Sequence, residues 1–300
     1  MSAVRYMLDD EHTRLPSKDG DSNRYIFGEM SGHNVVIGFL PEGSQGIGAA
    51  ATVATEMRRT FPSIRLRLLV GIGRGVPSHT NDIRLGDVVV GMPSGVHGGV
   101  VQYDLGKETT TGFRRKGFLT APPKNWRDAI VEMKSDHRVK GNRISEFLSE
   151  MIHRYPRLEA YRPPARENDI LFPPDTTHVP DQTTCEKCDK TRVIERTARW
   201  SDDPVIFYGL IASGDRVMKN AKTRDKISGD AGGALCFDTE AAGLVNDFQC
   251  IVVRGIADYA DSHKNDDWHA SGAAAAAGCA KELLTYMVPI FGTSTPEDTV

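Results

Sequence analysis

Ile251-Val252-Val253 is a short unbroken apolar run, closed by Arg254 and followed by an acidic turn from Asp258 to Asp261. Runs of this kind form strands buried on both faces, as in parallel sheets covered by helices. These few residues therefore already point to an α/β architecture. Ligands of open α/β sheets sit beyond the carboxyl ends of such strands, which puts Arg254, Asp258 and Asp261 where chemistry is expected. The preceding residues, from Cys236 through Glu240, read as a helix opened by acidic residues, with a loop at Asn246 and Asp247. Glu240 on that helix points at the same crevice, so two separated carboxylates, Glu240 and Asp258, are expected to serve one site.

Composition excludes several alternatives. With 39% hydrophobic residues, 300 residues can bury a sizeable core, and one α/β domain over 1–290 is preferred to two small ones. A net charge of −3 gives no basic field for nucleic acid or an anionic membrane. No run of 18 apolar residues and no secretory leader is present, so a soluble, cytoplasmic chain is expected. Five cysteines make an odd, sparse set, and reduced thiols are the default.

Along the chain, residues 1–24 read as polar loop, and strands at 25–30 and 35–40 are joined through Ser31-Gly32-His33-Asn34. A glycine-rich turn carrying Gly43, Ser44, Gly46 and Gly48 leads into a helix with Ala50, Val53, Ala54, Met57 and Phe61 at helical spacing. Free N–H groups and the helix dipole make such a start an anion site, although an ordinary strand-to-helix turn has the same pattern. Residues 66–75 form a strand with a glycine-rich exit, but no helix follows, which removes a dinucleotide-binding reading. A strand follows at 83–91, where Asp87 takes a structural role, and an extended stretch at 98–106 carries Tyr103 and Asp104 toward the site. Amphipathic helices are expected around Trp126–Ser135 and Ile144–Ile152.

Seven prolines between Arg154 and Pro204 exclude long helices and mark 154–204 as an insertion. Within it, His178, Cys185 and Cys188 offer three metal ligands. A structural zinc site needs four, and no fourth residue has suitable spacing, so two packed thiols or a local disulfide is the reading and no metal is assigned. A buried strand at 205–212 ends in Ser213-Gly214-Asp215, and an alanine-rich helix follows Trp268 and His269. Residues 291–300 read as a polar tail or linker.

Phe237-Asp238-x-Glu240-Ala241-Ala242, followed by Val253-Arg254-Gly255-Ile256-x-Asp258, resembles the nucleoside phosphorylase and methylthioadenosine/adenosylhomocysteine nucleosidase superfamily. Within it the chain is most similar to phosphorylase-like domains at the front of fungal proteins that continue into NACHT, ankyrin or tetratricopeptide regions. The likeness spans roughly residues 5–288. It implies a three-layer α/β/α fold around a mixed, partly barrel-like sheet, and cleavage of a purine N-glycosidic bond without a cofactor. Adenosine, methylthioadenosine and ATP stand level as substrate classes.

By resemblance, Asp258 assists base departure and Glu240 holds the ribose hydroxyls. Ser213, Val217, Met218, Phe237, Asp238, Thr239, Ile72, Gly73 and Arg74 line the substrate pocket, and Gly43, Ser44 and Gly46 hold phosphate as a possible co-substrate. Ser213 is a possible hydrogen-bond neighbour of Asp258, and Arg254 is expected to order the Asp258 loop. Homo-oligomers are usual in the superfamily. Arg74, Thr239 and Ser271 depart from its pattern, with Arg74 expected to block the pocket or lie in solvent rather than to bind nucleotide phosphates. So does the lack of a strand ending in a Pro-x-Glu segment before Tyr25, which makes the chain read as starting inside the domain, without the glutamate that activates water. These departures support the alternative of a catalytically impaired nucleoside-binding or signalling module.

Overall fold

The computed structural model describes residues 2–289, except 183 and 265, and the expected tail lies outside them. A short helix, α1 (Ser2–Tyr6), and a strand, β1 (Asp10–His12), occupy part of the stretch read as loop. β1 pairs antiparallel with β2 (Tyr25–Met30), and β2 with β3 (His33–Gly38). The β2–β3 turn passes through Ser31 and Gly32, both at positive φ, as a two-residue hairpin that follows the strand twist requires. Helix α2 (Ile47–Thr60) follows with Ala50 and Ala54 buried.

The main sheet begins with β4 (Leu68–Gly75), β5 (Val88–Gly91) and β6 (Val100–Gln102). An exposed hairpin, β7 (Gly106–Thr109) and β8 (Gly112–Arg115), comes next. Its residues are mostly polar, so no apolar alternation announces it. Helices α3 (Lys124–Lys140) and α4 (Ile144–Arg154) stand where their amphipathic spacing predicts. The run at 205–212 divides at Leu210 into β9 (Ile206–Gly209) and β10 (Ile211–Ser213). Helix α5 (Ala221–Asp230), β11 (Cys236–Asp238), β12 (Ile251–Asp258) and α6 (His269–Thr285) complete the order.

Seven strands align as β6-β10-β11-β4-β12-β5-β9. β9 sits at one edge and β10 beside the other, yet Leu210 alone separates them in sequence. That connection is possible only because the sheet curls on itself into a half-barrel. β4 and β12 run parallel, as do β6, β10 and β11, and the two groups meet antiparallel at Cys236–Gly75 and Phe237–Arg74. Every residue of β12 is buried, as expected for the central strand of an α/β fold.

Helices surround this sheet, and α6 lies directly on β12. A Cβ at Gly255 would stand 1.8 Å from the Gly272 carbonyl oxygen, so only glycine allows the helix this close. Among the described residues, β4 has a strand partner on one side only over 68–73, and β3 is the outer strand of its sheet. A groove of about 1760 Å³ separates those two edges, lined by Val35, Ile37, Leu68 and Val70 and bordered by Glu240 and Arg254.

The 154–204 excursion contains only short 3-10 turns, in keeping with its prolines. Charge fastens it to the sheet. Fully buried Asp87 accepts both Arg199 guanidinium nitrogens at 2.7 Å and the Val205 N–H at 2.9 Å, the structural role expected for it. No described helix is long and apolar enough to cross a membrane.

Overpacking a close contact costs about 1–3 kcal/mol, and a backbone clash lies at the upper end. Gly255→Ala is therefore expected to lower the urea midpoint clearly, whereas Gly48→Ala, which meets nothing within 4 Å, leaves it nearly unchanged.

Candidate active site

The carboxyl ends of β4 and β12 meet the end of β11, and this junction gathers most of the residues singled out in the sequence. Arg74 pairs in register with Phe237 on one side and with Asp258 on the other. A register irregularity between Ile256 and Asp258 bends the end of β12, as bulges do where a side chain is re-aimed.

Asp258 is 5% exposed. Its Oδ1 accepts the Ala260 N–H at 2.8 Å, and its Oδ2 lies 3.7 Å from both Arg74 Nε and Lys264 Nζ. Burial raises its pKa above the ordinary aspartate value, while the Ala260 N–H and the two cations oppose that rise without cancelling it. A carboxyl that keeps its proton closer to neutrality is suited to general-acid work.

Glu240 does not lie on a helix. β11 ends at Asp238, and Glu240 precedes a single 3-10 turn, Ala241–Gly243. Pairing of 236–238 between β10 and β4 overrides local helix preference. Gly243, where a Cβ would stand 2.5 Å from the Ile47 carbonyl oxygen, leaves no room beside α2 for a larger residue.

Arg254 acts here rather than on the Asp258 loop. At 3% exposed, it donates Nε and Nη2 to Asp238 Oδ2 at 3.0 and 2.5 Å, and Nη2 to Glu240 Oε2 at 3.3 Å. Burial works against its charge, but the carboxylates of Asp238 and Glu240 outweigh burial and hold its pKa above the ordinary arginine value. Gly71 makes the room, since a Cβ there would lie 2.2 Å from Arg254 Nη1. The Thr239 hydroxyl also donates to Glu240 Oε1. Arg254 and Asp258 stand four residues apart on β12, a span of roughly 13 Å at about 3.3 Å per residue.

Ser213 Oγ accepts the Ala242 N–H at 2.9 Å, so its hydrogen bond supports the turn after Glu240 and not Asp258. Phe237 and Met218 are buried in one apolar cluster with Tyr103, whose ring meets Phe237 edge-on at 5.4 Å. Val217 is 42% exposed. Gly73 lies against the Phe237 carbonyl, 3.2 Å from where its Cβ would be, and neighbouring Ile72 is partly buried. Arg74 is neither in solvent nor an obstruction standing alone, because its guanidinium lies against Asp258.

The glycine turn lies elsewhere in its bonding. The Ser44 N–H is satisfied by the Pro41 carbonyl at 3.0 Å. The start of α2 after Gly43, Ser44 and Gly46 already faces an anion from the chain itself, since Asp215 Oδ1 accepts the Ile47 N–H at 2.9 Å. The Asp215 N–H in turn donates to Asp104 Oδ2 at 2.8 Å. Sequence reading missed Asp215 and Lys264, because an acid after Ser-Gly and a lysine in a polar loop have no spacing that marks a role. It missed Tyr259 as well, whose hydroxyl donates to Asp169 at 2.5 Å and accepts from Arg196 at 2.9 Å, tying the excursion to the residue after Asp258.

The native state keeps the Asp258 proton through a pH window that opens near 3.8, where the unfolded chain loses it. Its contribution to stability is full below that value and is lost as pH rises through the folded pKa. Asp258→Asn removes this dependence, so its urea midpoint should gain on wild type between pH 4 and pH 7. An unchanged difference at the two pH values would contradict the assignment.

No protein-family model matches this sequence. A nucleotide-binding leucine-rich repeat (NLR)-like protein of Hyaloscypha variabilis is 42% identical over 290 residues, which is 96% of this chain and 28% of that protein. The chain thus spans little more than a quarter of that relative's length. Among solved structures, the 5′-methylthioadenosine/S-adenosylhomocysteine nucleosidase of Neisseria meningitidis in complex with methylthio-immucillin-A superposes with a TM-score of 0.58 at 14% identity, covering 96% of each chain. The futalosine hydrolase of Helicobacter pylori gives 0.56 at 15% identity, covering 95% of this chain and 93% of the other. The chain therefore has the fold of these nucleosidases and is similar in sequence to a fungal NLR-like protein.

Proposed function

We propose that this chain hydrolyses the N-glycosidic bond of a purine nucleoside or nucleotide of the adenosine, methylthioadenosine or ATP class. The observation that carries this reading is a pair of unlike carboxyls, one at the end of β12 and the other, just after β11, held by Arg254 of β12. Asp258 is buried and proton-retaining at the end of β12, and Glu240 is held by Arg254 further back. Bond cleavage leaves positive charge on the ribose and negative charge on the base, so the two ends need opposite treatment. Asp258 gives its proton to the purine ring as the bond breaks, and Glu240 accepts hydrogen bonds from the ribose hydroxyls. Water adds to the ribose carbon and loses one proton, which restores Asp258. The nucleosidase fold supports this assignment, and the Neisseria protein of that fold holds a nucleoside analogue.

Water is preferred to phosphate because Asp215 faces the N-terminus of α2. A phosphate entering there would meet a carboxylate already bonded to the Ile47 N–H. The second reading, a nucleoside-binding module without turnover, draws on Arg74, whose guanidinium at 3.7 Å favours the ionised form of Asp258. Similarity to an NLR-like protein is compatible with that role.

Chromatographic release of free base from adenosine, methylthioadenosine and ATP, with and without phosphate, tests the two readings. Hydrolysis predicts release that is independent of phosphate and falls by about 10²-fold or more in Asp258→Asn, the usual range for loss of a general acid. Nucleoside binding with no release by the wild-type chain would establish the second reading. Arg74→Gly removes a cation that lowers the Asp258 pKa, so the alkaline limb of its kcat/KM profile should move to higher pH.

A further inference from the structure

The excursion carries a cluster that plays no part in the proposed chemistry. One ligand-capable atom from each of His178, Cys185 and Cys188 lies within 4.8 Å of the other two. Cys185–Lys187 forms a 3-10 turn, closed by the Cys188 N–H on the Cys185 carbonyl at 3.1 Å, so the two-residue spacing brings both thiols to one side. Neither cysteine is in a disulfide. His178 Nε2 lies 3.0 Å from the Thr184 carbonyl, which fixes the proton on Nε2 and leaves Nδ1 as a lone-pair donor. Metal-binding histidines characteristically have their other nitrogen held in this way.

A candidate for a fourth ligand stands in the loop that follows β12. His263 is 7% exposed, and both of its ring nitrogens lack a hydrogen-bond partner. The nearest acid, Asp261, stays 3.7 Å from Nδ1. The ring is stacked on Phe172 at 4.0 Å and meets the His178 ring edge-on at 5.5 Å between centroids. A buried imidazole with neither nitrogen satisfied is costly, and a ligand bond is one way to remove that cost.

We propose that His178, Cys185, Cys188 and His263 form a tetrahedral zinc site that fastens the proline-rich excursion to the loop following Asp258. Two thiolates and two imidazoles match the preference of zinc for nitrogen and sulfur. With bonds of about 2.3 Å to sulfur and about 2.0 Å to nitrogen, tetrahedral ligands stand roughly 3.3–3.8 Å apart, so His178, Cys185 and Cys188 draw in by about an ångström on binding and the His263 ring moves toward them. The same loop is already joined to the excursion by the His178 N–H, which donates to Ser262 Oγ at 2.9 Å. One residue beyond His263 stands Lys264, whose Nζ is 3.7 Å from Asp258. The site therefore holds in place a cation that faces the candidate acid.

The untagged full chain, purified under reducing conditions without chelator, should contain about one zinc per molecule by elemental analysis. Cobalt substitution should give the visible bands of a tetrahedral ion with thiolate charge transfer, and Cys185→Ser and Cys188→Ser should each abolish both signals. His263→Ala should retain cobalt at about 10-fold or more weaker affinity with shifted visible bands, which separates ligation from a packing role. Should a cysteine variant fail to fold, zinc released from wild type by a thiol-blocking mercurial, with loss of the cobalt bands, gives the same answer. Wild type with no more than about a tenth of an equivalent of zinc and no cobalt spectrum overturns the proposal. So does thiol titration showing Cys185 and Cys188 joined as a disulfide, or an affinity unchanged in His263→Ala.

Discussion

The guanidinium of Arg254, buried in the middle of the central strand, fixes the geometry around it. Two carboxylates, Asp238 and Glu240, converge on it from the end of β11. Removing charges from water is expensive, and their mutual attraction repays that only when the geometry is tight and hydrogen-bonded. Gly71 supplies the space for this contact, and Gly73 lets the β11 backbone lie close to β4. The ion cluster thereby determines where β11 ends and how Glu240 is presented. Its value lies in specifying one arrangement more than in adding stability.

A second set of charges decides how the proline-rich excursion lies on the sheet. Asp87 receives Arg199, and Asp169 receives both Arg196 and the Tyr259 hydroxyl. Burial drives the Tyr259 pKa well upward, so the phenol remains a donor at any ordinary pH. Tyr259 immediately follows Asp258, and excursion and site loop are therefore one bonded unit. An apparently irregular segment is held here by buried ion pairs and hydrogen bonds in place of regular backbone pairing.

Around Asp258, opposing effects meet and burial prevails. Burial favours the neutral acid, while Arg74, Lys264 and the Ala260 N–H favour the anion. Arg74 is the residue on which this balance turns, because it comes from β4 and is independent of the loop that carries Lys264. Asp215 at the start of α2 acts locally in the same way, taking up the Ile47 N–H with its own carboxylate. Both are single side chains that set the local charge on a fold shared with the nucleosidases.

The sequence by itself determined the α/β class, the central strand β12 and helices α2, α3, α4 and α6. Those features are periodic or contiguous, so burial on one or both faces leaves a pattern in the chain. Only the tertiary structure decided that 205–212 divides between two edges of a curled sheet, that 236–238 is strand, and that Arg254 serves Glu240. It alone gave Arg74 to Asp258, Ser213 to Ala242 and the His263 ring to that of His178 in the excursion. These are contacts between residues as much as 184 positions apart, the separation of Arg74 from Asp258. The partner of a buried charge or an unsatisfied nitrogen is set by which strands become neighbours, and no local spacing encodes it.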